Sequence, residues 1–142
     1  SEASPWYVSE SAETLPRGTE IVLIVEDDEA VRNFGASFLR HQGYQILEAS
    51  NGEQALRVAK EHRGTPIHAL LTDMVMPRMG GEDLAGKIKS LCPGIRVVLT
   101  SGYTENISIH SGNLKEGEAF LKKPYSPRAL AYKIREVLDR QP

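Results

Sequence analysis

Four consecutive carboxylates, Glu26, Asp27, Asp28 and Glu29, stand directly after the apolar run Ile21–Val25 in the stretch IVLIVEDDEAVR. Like charges this close repel. At about 4 Å and an effective dielectric near 20, each pair costs on the order of 4 kcal/mol. Such a cluster needs either full solvation or a cation. Other apolar runs in the chain also end in groups able to do chemistry. Asp73 follows one, in LLTDMVMPRMGG; Thr100, Ser101 and Gly102 follow another; Lys122, Lys123 and Pro124 follow a third. Carboxylates gathered from several strand ends make a hard-oxygen site, which suits Mg²⁺ held by one or two carboxylates, waters and phosphate oxygens. Two of the four acids are therefore assigned to a cation. Asp28 and Glu29 are assigned to the start of a helix, whose positive dipole end favours them. The alternative, four solvated acids in a loop, is weakened by the arrival of Asp73, Ser101 and Lys123 at the same edge.

That convergence depends on the elements that carry these residues. Short apolar runs at Ile21–Val25, Tyr44–Leu47, Ile67–Leu71, Ile95–Thr100 and Ala119–Leu121 start between 23 and 28 residues apart, the length of one strand-helix unit. Between and after them, Val31/Phe34/Phe38, Ala55/Leu56/Ala59, Leu84/Ile88/Leu91 and Leu130/Ile134/Val137/Leu138 recur at helical spacing. Asp28 is expected to cap the first helix, and Ser126-Pro127 to open the last with a cap and a proline at its first position. Five strands alternating with helices predict an α/β fold, a doubly wound parallel sheet with helices on both faces. In such sheets ligands sit beyond the carboxyl ends of the strands. The second run ends in Glu48 and Ala49, to which no role is assigned. The fourth connection, YTENISIHSGNLKEGE, has poor helix propensity, so a short or mobile helix is expected there. Residues 1–19 are polar, without periodicity, and read as a linker or tail; residues 20–140 read as the domain.

Composition narrows the function classes. The chain has 142 residues, 40% of them hydrophobic and 25% charged, with a net charge of −2. That is one domain's worth of core, with no charge excess directed at nucleic acid or an anionic membrane. Cys92 is alone, which excludes an internal disulfide framework and a cysteine-rich metal site. His41, His62, His68 and His110 show no metal-ligand spacing. No stretch reaches the roughly 18–20 apolar residues that span a bilayer, and no signal peptide is read at the N-terminus, so the cytoplasm is the expected location. The chain begins at Ser1 rather than a methionine, which suggests an excised fragment or residues added at the N-terminus.

Taken together, IVLIVEDDEAVR, LLTDMVMPRMGG, VVLTSGY and FLKKP, in that order over residues 20–140, resemble the receiver domain of two-component response regulators. The resemblance implies the flavodoxin-like strand order 2-1-3-4-5. It implies that Asp73 accepts a phosphoryl group from a histidine kinase or a histidine phosphotransfer protein. Glu26 and Asp27 match the acidic pair that holds Mg²⁺, or alternatively Mn²⁺, with Asp27 the direct ligand and Glu26 acting through water. Val75 would offer its backbone carbonyl to the metal. Ser101 matches the switch hydroxyl, Lys123 rather than Lys122 the phosphate-binding lysine, and Phe120 the aromatic position that the switch moves. A cis peptide is expected between Lys123 and Pro124. The domain is then no free-standing enzyme but a phosphoacceptor that assists its own phosphorylation and dephosphorylation.

The chain departs from the commonest family pattern at several positions. Glu26 is one methylene longer than the frequent aspartate, Ser101 replaces threonine, and Phe120 lacks a phenol hydroxyl. Val75 cannot place a hydrolytic water, so a slowly hydrolysing aspartyl phosphate is expected. Output is expected from the face formed by the fourth helix, the fifth strand and the last helix, with ordering of Tyr103 to Leu114 on phosphorylation. Three contexts fit: a single-domain regulator, a receiver from a longer regulator, or the C-terminal receiver of a hybrid sensor kinase, a parent chain compatible with a membrane anchor. The leader LPRGT before the first strand resembles linkers in hybrid kinases, and the last context is preferred. The competing classes are a flavin module, which would need a Ser/Thr/Gly-rich first loop where this chain has acids; a Mg²⁺-dependent aspartate phosphatase, which wants a second aspartate where DMV has none; and a pseudo-receiver that is never phosphorylated.

Overall fold

The computed structural model describes residues 15–102 and 118–140. In chain order the elements are β1 (Ile21–Val25), α1 (Glu29–His41), β2 (Gln45–Ala49), α2 (Gly52–Glu61), β3 (Ala69–Asp73), α3 (Gly81–Leu91), β4 (Arg96–Ser101), β5 (Glu118–Lys122) and α4 (Pro127–Leu138). The strands form one sheet in the order β2-β1-β3-β4-β5, and every neighbouring pair is parallel. The three central strands read IVLIV, ALLTD and RVVLTS, and nearly every residue in them is buried. Strands covered on both faces have no polar side to present, so the runs are continuous rather than alternating.

The period-2 pleat sends alternate side chains to two separate cores. On one face Leu23, Val25, Leu70, Val97 and Leu99 meet Ala55 and Ala59 of α2 and Leu84 and Ile88 of α3. On the other, Val22, Ile24, Leu71 and Val98 meet Ala36 and Leu39 of α1 and Leu130, Ile134 and Val137 of α4. Side-chain oxygens hold three helix starts. Asp28 accepts from the amides of Ala30 and Val31 at 3.0 and 3.2 Å, Asn51 from Gln54 at 2.8 Å, and Ser126 from Ala129 at 3.0 Å. The α3 start has Gly80 at the cap position and no side-chain acceptor.

One helix face differs from its periodicity. Val31, Phe34 and Phe38 were the expected inner stripe of α1, yet Gly35, Ala36 and Leu39 are its buried residues and Phe34 is 40% exposed. Small residues let the helix lie close to the sheet, where a Cβ on Gly35 would come 3.2 Å from the Tyr125 hydroxyl. The fourth connection and its expected helix fall on residues 103–117, outside the described residues. Residues 15–19, at the end of the expected linker, are described, and Leu15 is only 6% exposed. Among the described residues no helix is long and apolar enough to cross a membrane.

Candidate functional site

Parallel pairing aligns the strands so that their carboxyl ends share one edge, and backbone hydrogen bonds carry the register into the loops. The Glu26 amide donates to the Ala49 carbonyl at 3.1 Å, Met74 to Thr100 at 2.8 Å, and Lys123 to Ser101 at 2.7 Å. Each loop that bears a functional side chain is therefore tied to its neighbour. Arg32, in the first turns of α1, donates to the Glu26 carbonyl at 2.7 Å and pairs with Glu48 at 3.4 Å, which braces the β1 loop from outside. The peptide between Lys123 and Pro124 is cis.

At this edge the Lys123 ammonium lies 3.1 Å from Glu26 Oε1 and 3.1 Å from Asp73 Oδ2. The other Asp73 oxygen accepts from the Val75 amide at 3.4 Å. Glu26 Oε2 accepts from the Asp28 amide at 3.0 Å. Glu26 is 3% and Asp73 6% exposed, whereas Asp27 is open to solvent. Burial pushes the Asp73 carboxyl above its ordinary range against the pull of Lys123. Burial does the same at Glu26, where the Asp73 charge adds to it against the Asp28 amide and Lys123. At Lys123 burial acts downward, but Asp73 and Glu26 outweigh it and hold the ammonium above its usual value.

The donor set fits a hard divalent cation. Glu26, Asp27 and Asp73 each offer a carboxylate oxygen, and these atoms lie within 4.8 Å of one another. Three carboxylates face one ammonium, so the edge carries a deficit of positive charge. All-oxygen donors with partial solvent access favour Mg²⁺ over softer metals. Val75 follows the cluster with its side chain 57% exposed. Ser101 is fully buried, and its hydroxyl has no hydrogen-bond partner among the described residues. An orphaned buried hydroxyl is costly and is kept where it has another use. Phe120 on β5 is partly buried against the core, opposite Leu99 and two residue pairs from Ser101 in register. Lys122 is exposed, and the lysine that pairs with the carboxylates is Lys123.

All the residues singled out in the sequence at strand ends thus arrive at one edge, and Glu26, Asp27, Asp73 and Lys123 are brought together. Three features were not read from the sequence. Arg32 and Glu48 form the brace, which a charge count at helical spacing does not reveal. Tyr125 lies beside the site with its hydroxyl against Gly35 and its ring 5.9 Å from that of Phe34. An apolar groove of about 450 Å³, lined by Val31, Phe34, Gly102, Lys123, Pro124 and Tyr125, opens next to the lysine.

A family model for the response regulator receiver domain matches residues 22–135. The sensor kinase CckA of Brucella abortus (strain 2308) is 35% identical over 124 residues, which cover 87% of this chain and 13% of that protein. Among solved structures, the receiver domain from hybrid histidine kinase CckA superposes with a TM-score of 0.71 at 34% identity, over 84% of this chain and 99% of that one. A response regulator receiver domain protein from Clostridium thermocellum gives 0.75 at 26% identity, over 85% and 95% of the two chains. The chain spans about an eighth of the length of the curated kinase.

Proposed function

The chain belongs to the response regulator receiver domain family, and from that premise we propose that Asp73 is the phosphoacceptor of a two-component phosphorelay. The observation that carries this reading is the Lys123 ammonium shared between Asp73 and Glu26 at the mouth of the sheet. In the proposed step an Asp73 oxygen forms a bond to phosphorus as the bond from phosphorus to the donor nitrogen breaks, and the donor histidine keeps that electron pair. Lys123 turns from the carboxylate toward the arriving phosphoryl oxygens and neutralises part of their charge. The Val75 amide orients Asp73 through its other oxygen. Glu26, Asp27, Asp73 and the Val75 carbonyl are the groups that would hold Mg²⁺, or Mn²⁺ in its place. The metal, when bound, supplies electrostatic stabilisation of charge on the transferring group.

The product carries a charge of roughly −1.5 to −2 and new acceptor oxygens. Ser101 has a hydroxyl without a partner among the described residues to offer them, and its movement makes room for Phe120. The proposed consequence is a change in the face that includes β5 and α4, where a downstream partner reads the state. Ordering of Tyr103 to Leu114 belongs to the same expectation and lies outside the described residues.

The donor in this reading is a histidine kinase dimerisation and phosphotransfer domain, in cis or in trans, or a histidine phosphotransfer protein. The apolar groove beside Lys123, with Phe34 exposed in it, supports such a docking partner better than a small-molecule substrate. The likeness to hybrid kinase receivers supports a cytoplasmic domain within a longer sensor kinase. A receiver should take up one phosphoryl equivalent from acetyl phosphate with Mg²⁺ and stop, and should lose uptake on chelation. Sustained turnover of a generic phosphoester would instead make the site a phosphatase.

A further inference from the structure

At the opposite end of the sheet from Asp73, the segment before β1 is held by side chains built to receive backbone. Gln42, fully buried at the end of α1, donates through Nε2 to the carbonyls of Leu15 and Pro16 at 3.4 and 3.0 Å. The Gly18 amide donates to the Gln42 carbonyl at 3.1 Å. Arg135 of α4 donates through Nη1 to the Arg17 carbonyl and the Tyr44 hydroxyl, each at 3.2 Å. Its other groups bind Glu20 at 2.7 Å and Asp139 at 2.9 Å. Leu15 is buried. The fit is tight. A Cβ on Gly18 would fall 2.3 Å from Tyr44 Cε1, and one on Gly43 would fall 2.4 Å from the Gly18 carbonyl. Gly43 also has a φ of +105°, a conformation that favours glycine.

A freely jointed linker does not need a buried glutamine for its carbonyls or two glycines for clearance. We infer that Leu15–Thr19 is a docked strap, part of the folded unit, which fixes the direction in which the preceding chain meets the domain. Arg135 is the residue through which the strap and α4 act on each other, since it binds the strap backbone, the start of β1 and the last turn of α4 at once. Coupling of this kind is reciprocal: what loosens the strap loosens the end of α4, and the converse.

The test is amide hydrogen exchange on the full 142-residue chain, comparing wild type with Gly18→Val and Arg135→Gln. The Gly18 amide should be protected in wild type. Arg135→Gln should speed its exchange about tenfold, the effect of losing one or two charge-assisted hydrogen bonds. Gly18→Val, whose side chain would collide with Tyr44 and displace the strap, should speed exchange at Asp139 by a similar factor, because that amide lies in the turn Arg135 anchors. An unprotected Gly18 amide in wild type would overturn the docked strap. Asp139 exchange unchanged in Gly18→Val would overturn the coupling to α4.

Discussion

One ammonium, on Lys123, serves two buried carboxylates at 3.1 Å, and a third carboxylate, Asp27, stands at the rim. The imbalance predicts that Mg²⁺ stabilises the protein. At a hundredfold excess over its dissociation constant the gain is about 2.7 kcal/mol. For a domain of this size that is on the order of 8 °C in Tm. Asp27→Asn should abolish most of that shift in a thermal melt, because it removes a solvent-accessible ligand without emptying any core. Beside the lysine, burial pushes the Tyr125 phenol up to about 12, with the Glu26 charge adding to it. The neutral phenol is thus favoured in the folded state. Its contribution is complete below the unfolded value near 10 and is lost as the pH rises through the folded value. Unfolding free energy should therefore fall by about 2 kcal/mol between pH 10 and 12, and Tyr125→Phe should flatten that part of the profile. Val75 bears on lifetime rather than transfer. Its exposed side chain has no polar atom with which to place an attacking water, so the phosphorylated form should decay slowly. Val75→Asn should shorten its half-life, measured by the loss of the phosphorylated mass with time.

At the scale of elements, the start of α3 is a tight joint. Its start abuts the end of β3, and a Cβ on Gly81 would fall 2.3 Å from the Asp73 carbonyl oxygen and 2.9 Å from the Met74 Cα. Both are backbone atoms, which cannot rotate aside. Gly81→Ala should cost about 1–3 kcal/mol in chemical denaturation and displace Asp73 from Lys123. Burial and close packing decide which parts of the fold were legible in advance. Ile21–Val25 was read to the residue because a strand buried on both faces is an unbroken apolar run. The other strands were found within a residue or two, since turn residues blur their ends. On α1 the large residues misled: Val31, Phe34 and Phe38 carry the period, but Gly35 and Ala36 are buried, because close approach to the sheet selects small side chains over apolar ones. Hydrophobic spacing has no means of seeing that. It is equally silent about Gln42 and Arg135, polar residues whose role is to receive the backbone of Leu15–Arg17.

At the scale of the whole molecule, the chemistry follows from topology. Glu26, Asp73, Ser101 and Lys123 are spread over 98 positions of the chain, and parallel pairing of β1, β3, β4 and β5 delivers them to one edge. The candidate cluster was legible because each of its residues follows or ends an apolar run, so finding the strands located it. Their division of labour was not, because the Glu26–Lys123–Asp73 bridge and the buried Ser101 hydroxyl are facts of packing. The same sheet separates two sites by its length, with the proposed phosphoacceptor cluster at the carboxyl edge and the inferred strap at the amino edge. The most direct test of the central claim is intact mass after incubation with Mg²⁺ and acetyl phosphate, for wild type and Asp73→Asn side by side. A single phosphoryl adduct on wild type and none on Asp73→Asn is the predicted result. An adduct that persists on Asp73→Asn would contradict Asp73 as the acceptor.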